Sequence, residues 1–283
     1  MEKVGLVLEG GGMRGIYTGA VLDVFLDNNI IFPYILGVSA GACQSMSYIS
    51  KQRGRNLEII TRFGGDSRYL SWKNQLLTGS IFGMDFAFKT IPNELIMFDY
   101  ETFHSTDQNV IFVTTSCVTG EPGYYSNKDG YDMSAVCQAS SSMPGFSHPV
   151  PIDGIPQFDG GMVDPVPIMR SIADGNTKNV VILTRNKGYR KSPSKSSARF
   201  LKILYRRWPK LAEAMAHRAE VYNKTMDFLD EQESLGKIFI IRPEKPVEVG
   251  RLERNVTKLQ AFYDEGIRNT NDCIDKLNNY LNN

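Results

Sequence analysis

The opening of the chain alternates strand, glycine loop, helix, strand and helix, and that order leaves few folds open. Val4 to Leu8 is a near-continuous apolar run, which reads as a strand buried on both faces. Glu9-Gly10-Gly11-Gly12-Met13-Arg14-Gly15 follows as a loop, and Ile16 to Asn28 then carries Ala20, Val21, Val24, Phe25 and Leu26 at helical spacing. Pro33 breaks the chain before a second apolar run, Tyr34 to Val38, and a small-residue, helix-compatible run begins at Ala42. Two strands joined through a helix pair in parallel, with helices on the sheet faces. The expected fold class is α/β, a three-layer α/β/α arrangement around a central, mostly parallel sheet.

The later elements fit the same plan. Asn109 to Cys117 is a strand by its β-branched content, Thr119 to Gly123 a turn, and Tyr124 to Ser126 a return strand. Met133 to Ala139 reads as helical. Val150-Pro151-Ile152, Asp153-Gly154 and Ile155 to Phe158 read as a hairpin whose prolines mark both strands as edges. Asn179 to Leu183 and Lys237 to Ile241 complete the strands, and Asn255 to Leu281 is a helix that Gly266 is expected to break or kink. The apolar stretch from Arg68 to Asp99 has no clean period. It serves either as irregular core under loops or as the wall of an apolar pocket. With no linker or repeat in sight, one domain over 1–283 is expected: a core with the motifs over 1–185, and a basic segment and C-terminal helices over 186–283 packed on it.

Composition narrows the function classes. A formal net charge of +1 argues against a dedicated nucleic-acid binder. Cys43, Cys117, Cys137 and Cys273 are scattered, which suits reduced thiols and a cytoplasmic setting rather than a disulfide framework. His104, His148 and His217 share no ligand spacing, so neither a metal nor another cofactor is expected. The first apolar run is too short for a signal-peptide core, and no run is long enough to span a bilayer.

The second strand ends in Gly37-Val38-Ser39-Ala40-Gly41, which reads G-x-S-x-G. Such an elbow lifts a serine out of the sheet at a helix N-terminus, where unpaired N–H groups favour negative charge. A turn that merely contains a serine accounts for the pentapeptide equally well. The first loop matches G-x-G-x-x-G through Gly10, Gly12 and Gly15. The acidic residue that a dinucleotide site needs near the end of the second strand is missing, since Asp23 and Asp27 come too early. Consecutive glycines can instead aim several N–H groups at one anion, as an oxyanion hole does. Arg14 would stand near its mouth as a fixed charge, or serve as a surface or capping residue. A base for Ser39 is harder to find. In the Ser-His-Asp order only His217 comes late enough, and its neighbours read as a solvated helix face. Asp159-Gly160-Gly161 ends a strand and offers a carboxylate, although a plain Asp-Gly turn is the simpler reading of those residues alone.

Taken together, Gly10-Gly11-Gly12-Met13-Arg14-Gly15, Gly37-Val38-Ser39-Ala40-Gly41, Ala139-Ser140-Ser141-Ser142-Met143-Pro144-Gly145-Phe146 and Asp159-Gly160-Gly161 resemble, in order and spacing, the motifs of bacterial patatin-like phospholipases. The resemblance runs over residues 4 to 185. It implies a lipid acyl hydrolase of phospholipase A or lysophospholipase type. Ser39 would be the nucleophile and Asp159 its base, with the oxyanion held by Gly10 to Gly12 within the loop of Gly10, Gly11, Gly12, Met13, Arg14 and Gly15. Gly37, Gly41, Gly160 and Gly161 would support the elbow and the aspartate turn. A soluble esterase or thioesterase with the same dyad, or a noncatalytic lipid binder on the same fold, are the alternatives. Many members carry alanine at the position of Gly161.

One further stretch stands apart. From Arg185 to Lys210 there is no acidic residue, while Arg185, Lys187, Arg190, Lys191, Lys195, Arg199, Lys202, Arg206, Arg207 and Lys210 alternate with apolar and aromatic residues. A basic, aromatic-bearing amphipathic segment suits peripheral docking on an anionic inner membrane surface. A solvated helix with its apolar face on the core explains the same residues.

Overall fold

The computed structural model describes residues 3–192 and 198–282. Strands β1 (Val4–Leu8), β2 (Tyr34–Val38), β3 (Asn109–Ser116), β4 (Pro122–Ser126), β5 (Val150–Ile152), β6 (Ile155–Asp159), β7 (Lys178–Ile182) and β8 (Ile238–Ile241) form one sheet of order β5-β6-β3-β2-β1-β7-β8, with β4 paired to β3. From β8 to β3 every pairing is parallel; β4, β5 and β6 join antiparallel. The sheet is therefore mixed but mostly parallel.

Alternation along the central strands explains the layers. Leu6, Leu8, Val180 and Ile182 point into one core with helices α1 (Ile16–Asp27), α2 (Ala40–Ile49) and α10 (Val256–Asn282). Val7, Val181 and Leu183 point into a second core with Ile168 of α7 (Ile168–Ala173) and with Tyr222, Met226 and Leu229 of α9 (Pro209–Ser234). Consecutive residues thus feed opposite faces, as the pleat requires, and a helix layer covers each.

Strand β3 organises the site. Strand β2 pairs with its residues 109–113 and β6 with 114–116, while β4 spans 111–115. Because β4 overlaps both, it takes the opposite edge of β3. So β2 and β6 share one edge and meet end to end, with Val38 against Val113 and Asp159 against Thr114.

Three expectations need correction. Of the hairpin's two strands only β5 is an edge: β6 lies between β5 and β3, and Pro156 is tolerated at its start, where its carbonyl still accepts from Cys117 N–H at 2.9 Å. Helix α10 runs unbroken through Gly266. A Cβ there would lie 2.7 Å from Ala20 Cβ and 3.0 Å from the Tyr17 carbonyl oxygen, so the glycine lets α10 cross α1 closely. The rings of Tyr17 and Phe262 meet beside it at 5.2 Å, and Tyr263 Oη donates to Asp23 Oδ2 at 2.6 Å. The aperiodic stretch is largely helical: α4 (Trp72–Thr78) and a π-helical segment, Phe86–Leu95, follow α3 (Arg55–Phe63) and precede α5 (Tyr100–His104). Pro92 lies inside the π-helical turn, and that wider winding hides the 3.6-residue period.

The basic run also divides. Arg190 pairs with Asp227 and Asp230, and Lys187 with Glu233, all on α9. Arg185 and Lys191 turn into a cavity described below. Lys202, Arg206, Arg207 and Lys210 stay exposed on and after α8 (Ala198–Leu204), beside exposed Phe200, Ile203 and Leu204. Lys195 and the side chain of Arg199 lie outside the described residues. Among the described residues no helix is long and apolar enough to cross a membrane.

Candidate active site

Ser39 sits between β2 and α2 with φ 53° and ψ −120°. A non-glycine residue held at positive φ costs on the order of 1–3 kcal/mol, so the surroundings must over-determine it. They do so through Ser140 at the end of α6 (Met133–Ser140). Ser39 N–H donates to Ser140 Oγ at 2.7 Å, and that hydroxyl donates to the Val113 carbonyl at 2.6 Å. The elbow is thereby tied to β3. Gly41 allows close approach of α2 to β1, since a Cβ there would lie 2.6 Å from the Leu8 carbonyl oxygen. Gly37 abuts Ala42 in the same way.

The end-to-end meeting of β2 and β6 brings the carboxylate to this serine. Ser39 Oγ donates to Asp159 Oδ2 at 2.8 Å, and Gly161 N–H donates to Asp159 Oδ1 at 2.7 Å. Asp159 N–H reaches the Ser142 carbonyl at 2.7 Å, and Thr115 Oγ1 donates to the Asp159 carbonyl at 2.8 Å. Gly160 lies directly against the Val113 carbonyl, where a side chain has no room. Asp159 is 3% exposed. Burial raises its pKa above the ordinary 3.8; Arg218 and the bonds from Ser39 and Gly161 pull the other way without cancelling this.

The glycine loop faces the pair. A Cβ on Gly10 would sit 3.1 Å from Ser39 Cβ, and Gly10, Gly11 and Gly12 line a cavity together with Ser39 and Asp159. One member of the loop differs from expectation. Met13 N–H is already taken by the Arg251 carbonyl at 3.1 Å, which removes it from the set of free donors. Arg14 is neither a surface nor a capping residue. It is 4% exposed and lines the same cavity. Gly15 packs against Ala40 of α2.

Two cavities open from Ser39. The larger, about 160 Å³, is apolar and lined by Met46, Ile60, Tyr69, Phe82, Phe88 and Phe98 among others. The aperiodic stretch therefore does supply a pocket wall. The smaller, about 20 Å³, is lined by the charged side chains Glu9, Arg14, Arg185, Lys191, Arg218 and Arg251 beside Asp159. No histidine lines either one. His217 is exposed and faces Glu220 at 3.3 Å, His148 Nε2 lies 2.7 Å from the Thr78 carbonyl, and His104 stacks on Tyr100. Among the described residues no cluster of His, Cys, Asp or Glu is arranged to hold a metal.

Ser140, Lys191, Arg218 and Arg251 were not legible as site residues. Ser140 falls in the segment Ala139 to Phe146, where nothing in the local pattern ties it to the Ser39 N–H. The three cations come from distant parts of the chain, and no local spacing announces that they converge.

A family model described as patatin-like phospholipase matches residues 6–172, well over half of the chain. The chain belongs to the patatin-like phospholipase family. A second model, a domain of unknown function, matches residues 208–282. The chain is 26% identical over 276 residues to the uncharacterized protein YjjU of Escherichia coli (strain K12), covering 93% of this chain and 75% of that one. It is 26% identical over 182 residues to lysophospholipase nte1 of Aspergillus terreus, covering 60% of this chain and 11% of the relative. The chain thus spans about a tenth of that lysophospholipase's length. Among solved structures, VipD from Legionella pneumophila aligns with TM-score 0.46 and 12% identity, over 98% of this chain and 67% of that one. Family membership supports lipid-ester hydrolysis by this chain.

Proposed function

We propose that the protein is a serine-dependent lipid acyl hydrolase of phospholipase A or lysophospholipase type, working through Ser39 and Asp159. The observation that carries this reading is the 2.8 Å hydrogen bond from a strained, nearly buried serine to a buried carboxylate, with no histidine in reach. Ser39 Oγ attacks the ester carbonyl while Asp159 takes its proton. The oxyanion is held by N–H groups of Gly10 to Gly12, for which no protein acceptor is recorded among the described residues. The tetrahedral species collapses, the alcohol leaves with the proton from Asp159, and an acyl-enzyme remains on Ser39. Water, deprotonated by the same carboxylate, then releases the fatty acid. The apolar cavity would take the acyl chain.

In this reading residues 1–283 act as one unit, because buried residues of α10 share a core with β1 and α1. Contact with an anionic membrane would run through the exposed cations of 202–210 and their apolar neighbours rather than through the whole basic run. Mass spectrometry after a fluorophosphonate probe tests the nucleophile. An adduct on Ser39, absent from Ser39→Ala, is the expected result, and an adduct elsewhere overturns the assignment.

A further inference from the structure

The smaller cavity has an imbalance that a Ser–Asp dyad does not require. Five basic side chains, Arg14, Arg185, Lys191, Arg218 and Arg251, line it against two carboxylates, Glu9 and Asp159. Both carboxylates have other partners. Glu9 Oε2 accepts from Thr184 N–H at 2.6 Å and from Thr184 Oγ1 at 3.0 Å, and Asp159 serves Ser39 and Gly161. Among the described residues no ion pair joins any of the five to a carboxylate. The nearby Arg190 and Lys187, which face solvent, are both paired. These two have carboxylate partners and the inward-facing group has none within ion-pair distance among the described residues, although an unpaired buried charge is the costlier arrangement.

The side chains are held and partly unsatisfied. Arg14 is 96% buried, the complement of its 4% exposure, and its Nε has no hydrogen-bond partner. Arg185 donates to the Val247 carbonyl at 3.2 Å and stacks on Tyr189, yet its Nε is also unpartnered. Arg218 donates to the Gly161 carbonyl at 2.8 Å, and Lys191 Nζ rests 3.6 Å from the centre of the Tyr222 ring. Burial, with Arg218 as the next cause, pushes the Lys191 ammonium down to about 6. Burial and neighbouring arginines push Arg14 and Arg218 down to about 10. A bound anion would favour the charged form of each, Lys191 included, whose ammonium is otherwise mostly deprotonated at neutral pH.

We propose that this cavity is the subsite for the phosphate of an acyl-ester substrate, so that Ser39 cleaves lipids carrying a phosphate a few bonds from the scissile ester. This rests on the dyad reading above. Ser39 and Gly12 line both cavities, so an ester at Ser39 can extend its acyl chain one way and its polar end the other. The cations gather on a dianion as charge-assisted donors do. Four of the five lie beyond residue 172, outside the patatin-like match, and Arg218 and Arg251 fall within the match of unknown function. The C-terminal part of the chain would then set head-group choice for a site whose chemistry is built by the N-terminal part.

The test compares kcat/KM on an acylglycerol phosphate with that on the monoacylglycerol of the same chain, in identical micelles, for the wild type, Arg185→Gln and Lys191→Gln. Inorganic phosphate is added separately, at constant ionic strength, to follow its effect on Tm. The expected wild-type preference for the phosphate-bearing lipid is tenfold or more. Each variant should lower that ratio by roughly 10- to 100-fold or to unity, as loss of one hydrogen bond to a charged group implies. Phosphate should raise Tm in the wild type and not in the variants. A ratio near one with no Tm shift overturns the proposal. A Tm shift with a ratio near one assigns the cavity to free phosphate and overturns the head-group role. Failure of the fluorophosphonate probe to label Ser39 counts against the dyad reading, and the phosphate Tm arm is read without it.

Discussion

Replacing Asp159 by Asn isolates the base with little change of shape. The carboxylate accepts two hydrogen bonds, from Ser39 Oγ at 2.8 Å and from Gly161 N–H at 2.7 Å. An amide has one acceptor oxygen. If that oxygen stays with Gly161 N–H, the amide NH₂ faces Ser39, where it can donate but cannot remove a proton. A positioned general base contributes about 10²–10⁴ in rate, so kcat should fall by about 10³-fold, roughly 4 kcal/mol of barrier, with KM little changed. Stability should move the other way. The raised pKa of Asp159 means that the fold penalises its ionised form. That penalty is fully present above the folded-state pKa and disappears as pH falls below the ordinary 3.8, so at neutral pH the uncharged amide relieves it. The variant should therefore unfold in urea at or above the wild-type midpoint while losing activity on a nitrophenyl ester. Activity within tenfold of the wild type, or a loss carried by KM alone, would refute the assignment of Asp159 as base.

Other consequences can be checked alongside. The pH–rate profile should lose activity on acidification with a midpoint above 3.8, the ordinary aspartate value, because the base must be ionised; a limb at or below it contradicts a desolvated carboxylate. Ser140→Ala strands the Ser39 N–H and the Val113 carbonyl, and should cost about 1–3 kcal/mol by urea denaturation together with a drop in kcat. In Gly266→Ala a helix-propensity gain of up to ~1 kcal/mol competes with overpacking of about 1–3 kcal/mol against Ala20 and Tyr17, so Tm should fall; a rise means that α10 does not cross α1 this closely. Arg206→Glu with Arg207→Glu should weaken sedimentation with anionic vesicles and leave nitrophenyl ester hydrolysis intact, and unchanged sedimentation removes the membrane role.

Much of the fold was legible because parallel strands buried on both faces write themselves as apolar runs. Val4–Leu8 and Tyr34–Val38 have the predicted bounds. What the chain concealed was tertiary. Pro156 reads as an edge residue, but β3 covers that side of β6. Gly266 reads as a breaker, yet its want of a side chain serves a helix crossing that only the folded chain contains. The π-helical turn around Pro92 has a period that no 3.6-residue search detects. Within the site, the glycine-marked turns at Ser39 and Asp159 leave plain turns open when read alone, and only the resemblance of four motifs in order singles the two residues out. Their hydrogen bond joins residues 120 positions apart, which local pattern cannot reveal. The basic run from 185 misled by its uniformity: some of its cations pair with α9, others enter the cavity, and others stay in solvent.

Under the proposed Ser39–Asp159 chemistry, the shared edge of β3 makes hydrolysis a gauge of strand register. Val38 and Asp159 are fixed against neighbouring residues, Val113 and Thr114, by two ladders of opposite sense. A slip of one residue in either ladder turns its side chains to the other face and separates the serine from its carboxylate. In refolding, helices and local hairpins can form early, but ester cleavage returns only after both distant strands have docked on β3. Recovery of activity would therefore time the docking of β2 and β6 on β3, and a chain with native helix content but a misaligned sheet would stay silent.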